Sequence, residues 1–142
     1  MTLSLYRIMF TALCVFLVNS TVFATPAGIG FEVLIIKPDD TPLEAPSVDF
    51  KFKITDPLGT CVIYIEELSA QDMTGSQGQK SFTIGNPSLQ THPDPMVTPL
   101  TIAQVFSNSS RTFACQSGGS YTSSSLDKRQ LLLEFNDGSG AQ

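Results

Sequence analysis

Residues 59–68 read GTCVIYIEEL and gather the chain's most reactive side-chain types into one short run. Cys61 could act as a metal ligand, a nucleophile or half of a disulfide. Glu66 and Glu67 could act as an acid–base pair. Each use has its own requirements. A zinc site needs about four nitrogen or sulfur ligands at set spacings, and His92 is the only histidine. A thiolate nucleophile needs a base beside it, and His92 sits in the proline-bracketed stretch THPDP with nothing to bring it to a cysteine. Adjacent residues of a strand point to opposite faces, so Glu66 and Glu67 do not form a carboxylate pair; the expectation is one in solvent and one near the strand's end. Asp39-Asp40 has calcium-binding residue types, but PDDTP is first a turn, and Asp137-Gly138-Ser139-Gly140 has the same weak claim. The serine-rich SYTSSS lacks a base, and no glycine loop of phosphate-binding type occurs. The sequence therefore predicts no catalytic residue, no cofactor and no metal.

The staple reading of Cys61 depends on compartment. Residues 1–24 read MTLSLYRIMFTALCVFLVNSTVFA, with Arg7 as the only charge, an apolar stretch from Ile8 to Val18, and small residues before the end of Val22-Phe23-Ala24. That is the layout of a secretory signal peptide, and the apolar stretch is short for a membrane span. Cleavage after Ala24 leaves residues 25–142 as one domain and removes Cys14. Cys61 and Cys115 remain, bound for an oxidising compartment, and a single disulfide is the inference; unpaired buried thiols are the alternative. The expected location is outside the cytoplasm, in a periplasm, on an outer surface or in a vesicle. The whole chain carries a formal charge of −5, and loss of Arg7 makes the mature chain more acidic still, which argues against nucleic acid and anionic lipid as partners.

The elements that must position these residues follow a period of two. In SVDFKFKIT, Val48, Phe50, Phe52 and Ile54 alternate with Asp49, Lys51, Lys53 and Thr55. Phe31, Val33 and Ile35 share one face, as do Leu131, Leu133 and Phe135. Cys61 falls in phase with Ile63 and Ile65, and Cys115 with Phe113, so both sulfurs belong to faces able to turn inward. Turn signals separate the runs: KPDDTPLEAP, DPLG before Cys61, and MTGSQGQ, which reads as a hairpin connection to SFTIG. NPSLQTHPDPMVTPL is expected to cross between sheets, TIAQVFSN to form a short helix, and QSGGSYTSSSLD to be a flexible connection. Asn108-Ser109-Ser110 matches a glycosylation sequon. The fold expected is an all-β antiparallel sandwich of about seven strands with Greek-key connections, immunoglobulin- or prealbumin-like; a barrel is the alternative. The immunoglobulin signature is incomplete because the chain has no tryptophan.

The stretches IIKPDDTPLEAPSVDFKFKITDPLGTCVIYIEEL, DMTGSQGQKSFTIG, VFSN, FACQSGGSY and DKRQLLLEFNDGSG occur in that order. Together the set resembles the N-terminal domain of long secreted fibre proteins of predatory bacteria, mosaic adhesive trimers similar to phage tail fibres. The resemblance implies a β-sandwich at the base of a trimeric fibre whose distal tip recognises a surface ligand. Such fibres continue past the FNDGSG stretch into a stalk, and no heptad or repetitive β stretch follows it here, so the expectation is a free-standing relative or a truncated base. The function expected is a non-catalytic secreted module, structural or adhesive, that self-associates, as a homotrimer in a fibre, or contacts a surface protein or glycan. A free-standing carbohydrate-binding or inhibitor-like domain is the second expectation. Met73, Met96 and Tyr121, in loops, are the candidate contact residues.

Overall fold

The computed structural model describes residues 28–91 and 99–139; the expected leader of residues 1–24, His92 and Met96 lie outside them. Among the described residues the chain runs β1 (Ile29–Leu34), β2 (Val48–Thr55), β3 (Val62–Gln71), β4 (Gln79–Ile84), a 3-10 turn (Pro87–Leu89), α1 (Ile102–Val105), β5 (Thr112–Ala114), β6 (Ser120–Thr122) and β7 (Gln130–Asn136). The fold is all-β and antiparallel, a sandwich-like packing of sheet β3-β2-β7 with sheet β1-β4, to which the small sheet β5-β6 is added.

β2 is the central strand, and its alternation is the clearest in the sequence. Val48, Phe50, Phe52 and Ile54 are buried, while Lys51 and Lys53 on the other face pair with Glu67 at 2.8 Å and Glu134 at 2.6 Å. The inner face meets the β1–β4 pair through aromatic rings. Phe82 of β4 lies 4.7 Å from Phe50 and 5.0 Å from Phe52, and Phe31 of β1 lies 5.4 Å from Phe52, all edge-on. Each buried phenylalanine contributes about 1.5–3 kcal/mol, and each such ring pair about 0.5–1.5 kcal/mol more, so this cluster is the main bond between the two layers.

β3 is buried on both faces. Its pairing sets Tyr64 opposite Ile54 and Glu66 opposite Phe52, so these two side chains point into the sandwich. Ile63 and Ile65 lie on the reverse face and are buried as well. The strand's outer edge is occupied by later chain: the Thr91 amide donates to the Ile65 carbonyl at 3.1 Å, and the Gln116 amide to the Val62 carbonyl at 2.9 Å.

Several expectations hold locally. In the turn after β2, Asp56 opens DPLG and its carboxylate accepts from the amides of Thr60 and Cys61 at 2.7 and 2.9 Å. TIAQVFSN forms α1, whose Thr101 and Gln104 complete a reciprocal capping box. PDDTP is a turn in which Asp39 accepts from both the amide and the hydroxyl of Thr41.

Three connections differ from expectation. MTGSQGQ is not a hairpin: β3 pairs with β2 and β4 with β1, so this link crosses between the layers. Its glycine serves a close approach instead. Gly78 has φ of +77°, and a Cβ there would stand 2.5 Å from the Ile35 carbonyl oxygen. QSGGSYTSSSLD is not a loose connection, because Gly118 and Gly119, both at positive φ, turn the chain into the β5–β6 hairpin. Leu131 shares the side of Leu133 and Phe135 but remains 45% exposed, since little packs over that end of β7.

Candidate functional site

Cys61 and Cys115 form a disulfide with their Cα atoms 4.9 Å apart. It joins the start of β3 to the end of β5 and so pins the β5–β6 hairpin in place; it does not bridge the two main layers. Phe113 of β5 is buried, and Tyr121 of β6 stacks on it with ring centroids 6.1 Å apart. Over these rings lies the Arg129 guanidinium, 5.6 Å from Phe113 and 5.2 Å from Tyr121. Arg129 also donates to the Val105 carbonyl at 3.0 Å, tying the hairpin to the end of α1. The Tyr121 hydroxyl donates to Asp127, whose carboxylate also accepts from the Ser124 amide at 2.7 Å. The Tyr121 hydrogen bond and these amide contacts hold the Asp127 carboxyl below its ordinary range. Tyr121 is thus half-buried in a network that orders its own loop.

Of the other two candidate contacts, Met96 lies outside the described residues, and Met73 is corrected by the structure. Met73 is wholly buried, because the crossing link dips into the core, where its amide donates to the Ala45 carbonyl at 2.9 Å. It fills space and touches no surface. The sequon asparagine, Asn108, is engaged too: its side-chain amide donates to the Asp127 carbonyl at 2.7 Å.

The residue that sequence reasoning missed is Glu66. It is neither in solvent nor at the strand's end but fully buried. One carboxylate oxygen accepts from the Gly85 amide at 2.7 Å and from the Tyr64 hydroxyl; the other has no partner among the described residues. Burial, reinforced by the Glu66 hydrogen bond, pushes the Tyr64 phenol far above its ordinary value. The signal was the spacing: Tyr64 and Glu66, two apart on one strand, share a face. The carboxylate ties β3 to the end of β4. Among the described residues no group of three His, Cys, Asp or Glu side chains is placed to hold a metal. Most charged groups are similarly engaged at home, with Asp39, Asp56, Asp72 and Asp137 each capping its own turn.

Among the described residues, one edge of the three-stranded sheet remains open. β7 is the terminal strand of its sheet, and among the described residues no backbone group outside β2 bonds to it. Its Leu131 and Leu132 are 45% and 41% exposed, and Leu133 and Phe135 are only partly buried against the core. Past β1, Ile36, Lys37 and Pro38 line a cavity of about 510 Å³ together with Phe135, Asp137 and Ser139 at the end of β7. A free strand edge with leucines on both faces can do one thing well: it can accept another strand, with main-chain hydrogen bonds for affinity and side chains for register.

The chain matches no protein-family model, no curated protein and no solved structure. No helix among the described residues is long and apolar enough to cross a membrane.

Proposed function

We propose that the chain is a non-catalytic, exported contact module: a stapled β-sandwich that presents its open edge and loops to a neighbouring copy, a surface protein or a glycan. The reading covers both a fibre base, where copies assemble as in the adhesive trimers the sequence resembles, and a free-standing adhesive domain. A Greek-key, immunoglobulin- or prealbumin-like connectivity is the arrangement it expects of the sandwich. The observation that carries it is a contrast. Asp39, Asp56, Asp72 and Asp137 are bound into turns and Glu66 into an internal tie, whereas Leu131 and Leu132 of β7 stand exposed on an edge that no described strand pairs. The Cys61–Cys115 disulfide supports export, since such bonds persist in oxidising compartments.

The test uses residues 25–142, purified oxidised. Light scattering after size-exclusion chromatography reports assembly, and a glycan array reports sugar contact. Concentration-dependent assembly or selective glycan capture is the expected result. Turnover of any substrate in a panel of esters, peptides and glycosides would overturn the reading, as would a strictly monomeric chain that captures nothing.

A further inference from the structure

We infer that the open edge of β7 pairs with β7 of a second copy, antiparallel about Leu132, to make one continuous six-stranded sheet. The inference rests on the contact-module reading and names the partner and the surface.

β7 lacks most of the features by which sheets keep their edges from pairing, and its one charge, Glu134, is taken up by Lys53. Such edges carry proline, lysine, a bulge or a cover. QLLLEFN has neither proline nor lysine. The β2–β7 register runs unbroken from Asp49 opposite Asn136 to Thr55 opposite Gln130, so the strand is straight and presents its outward amides and carbonyls in regular order. The other end of the same sheet is treated differently. There the outer edge of β3 is met by Gln90, Thr91 and Gln116. Among the described residues, one edge of the sheet is closed by later chain and the other is left open.

The side chains select a second copy as the occupant. In an antiparallel pair about Leu132, Leu132 faces its own counterpart, Leu131 faces Leu133, and Gln130 faces Glu134. From Gln130 to Glu134 every apolar residue then opposes an apolar one and every polar residue a polar one, while Phe135 falls opposite Arg129 beyond the strand's start. The register matches the faces as well as the types. Gln130, Leu132 and Glu134 share the face of Lys53, and Leu131 and Leu133 share that of Phe52. The two Glu134 carboxylates stay apart, and each is already neutralised by its own Lys53 at 2.6 Å. Centring the pair on Glu134 instead would set two carboxylates face to face, which is unfavourable. The pairing covers the exposed leucines of both copies, and as an isologous contact it closes at two.

Directly opposed residues of an antiparallel pair have Cα atoms about 4.5–5.5 Å apart, within the Cα span of about 4.4–6.8 Å that a disulfide bridges. Residues 25–142 hold every strand of the described fold, and this oxidised chain is the material for the test. L132C should form a covalent homodimer under mild oxidation. L131C alone should form no covalent dimer, yet cross-link to L133C when the two are mixed. In sedimentation equilibrium the unmodified chain should dimerise. L132K should weaken the dimer at least tenfold, while L126K, at a residue 90% exposed outside the strands, should leave it unchanged. Circular dichroism matching the unmodified chain shows that L132K has folded, and the cysteine variants test the register without adding charge. A chain monomeric at millimolar concentration, a trimer, or a dimer that L132K leaves intact would overturn the pairing. Glycan capture by a monomeric chain would still uphold the contact-module reading, so the two failures are distinguishable.

Discussion

Removing the disulfide should cost about 4 kcal/mol. Cys61 and Cys115 are 54 residues apart, and the loop-closure entropy released to the unfolded chain over that span has this size. Small domains are stable by about 5–15 kcal/mol in all, so the loss is a large part of the whole. It should also be felt locally. β5 and β6 have three residues each, and an isolated two-stranded hairpin is marginal; without the bond, the anchors that remain include buried Phe113 and the Gln116–Val62 hydrogen bond at 2.9 Å. The perturbation is C61A/C115A, chosen because alanine adds no buried hydroxyl. The assay is urea unfolding followed by far-ultraviolet circular dichroism. With a slope of about 1.3 kcal/mol per molar, 4 kcal/mol lowers the midpoint by about 3 M, and the slope should rise because the uncrosslinked unfolded chain exposes more surface. A loss below about 1 kcal/mol with an unchanged slope would refute the staple argument.

Phe82→Ala should destabilise by about 3–5 kcal/mol, measured in the same urea assay, since its ring touches Phe31, Phe50 and Phe52. Glu66→Ala strands the Tyr64 hydroxyl and the Gly85 amide and should cost about 2–5 kcal/mol, with Glu66→Gln, which keeps an acceptor, costing clearly less; equal losses would contradict the tie. The Asp56 carboxyl is a pH probe. Burial alone would raise it, but hydrogen bonds from Cys61 and Thr60 outweigh that and hold it below its ordinary 3.8. Its contribution is therefore fully present above that value and fades as pH falls through the lower folded-state value. Unfolding free energies from pH 7 to pH 2 should fall less steeply for Asp56→Asn than for the unmodified chain; parallel curves would count against the assignment.

What the sequence made legible was whatever repeats locally. β2 could be read residue by residue because its period of two is uninterrupted. DPLG and PDDTP could be read because aspartate, proline and glycine favour specific turns, and the disulfide because Cys61 and Cys115 are the only cysteines outside the expected leader. Pairing partners were less legible, since Gly75 and Gly78 signal a turn without saying which strand follows it in space. Glu66 was hidden by its type: a glutamate in a strand reads as solvent-facing, and only its position two residues after Tyr64 pointed inward. The β5–β6 hairpin was hidden because glycine and serine dominate QSGGSYTSSSLD, which holds its turn and β6, while Phe113 of β5 and Arg129, which order it, lie outside that stretch. The open edge of β7 appears only once the strand order is known.

Amide hydrogen exchange on β7 at two protein concentrations tests the contact edge most directly. The account predicts that amides of β7 not bonded to β2 exchange rapidly at micromolar concentration and slow markedly toward millimolar, while those of β2 stay unchanged. Protection of the outward amides already present at micromolar concentration, and independent of it, would show an edge covered within the single chain and would contradict the account.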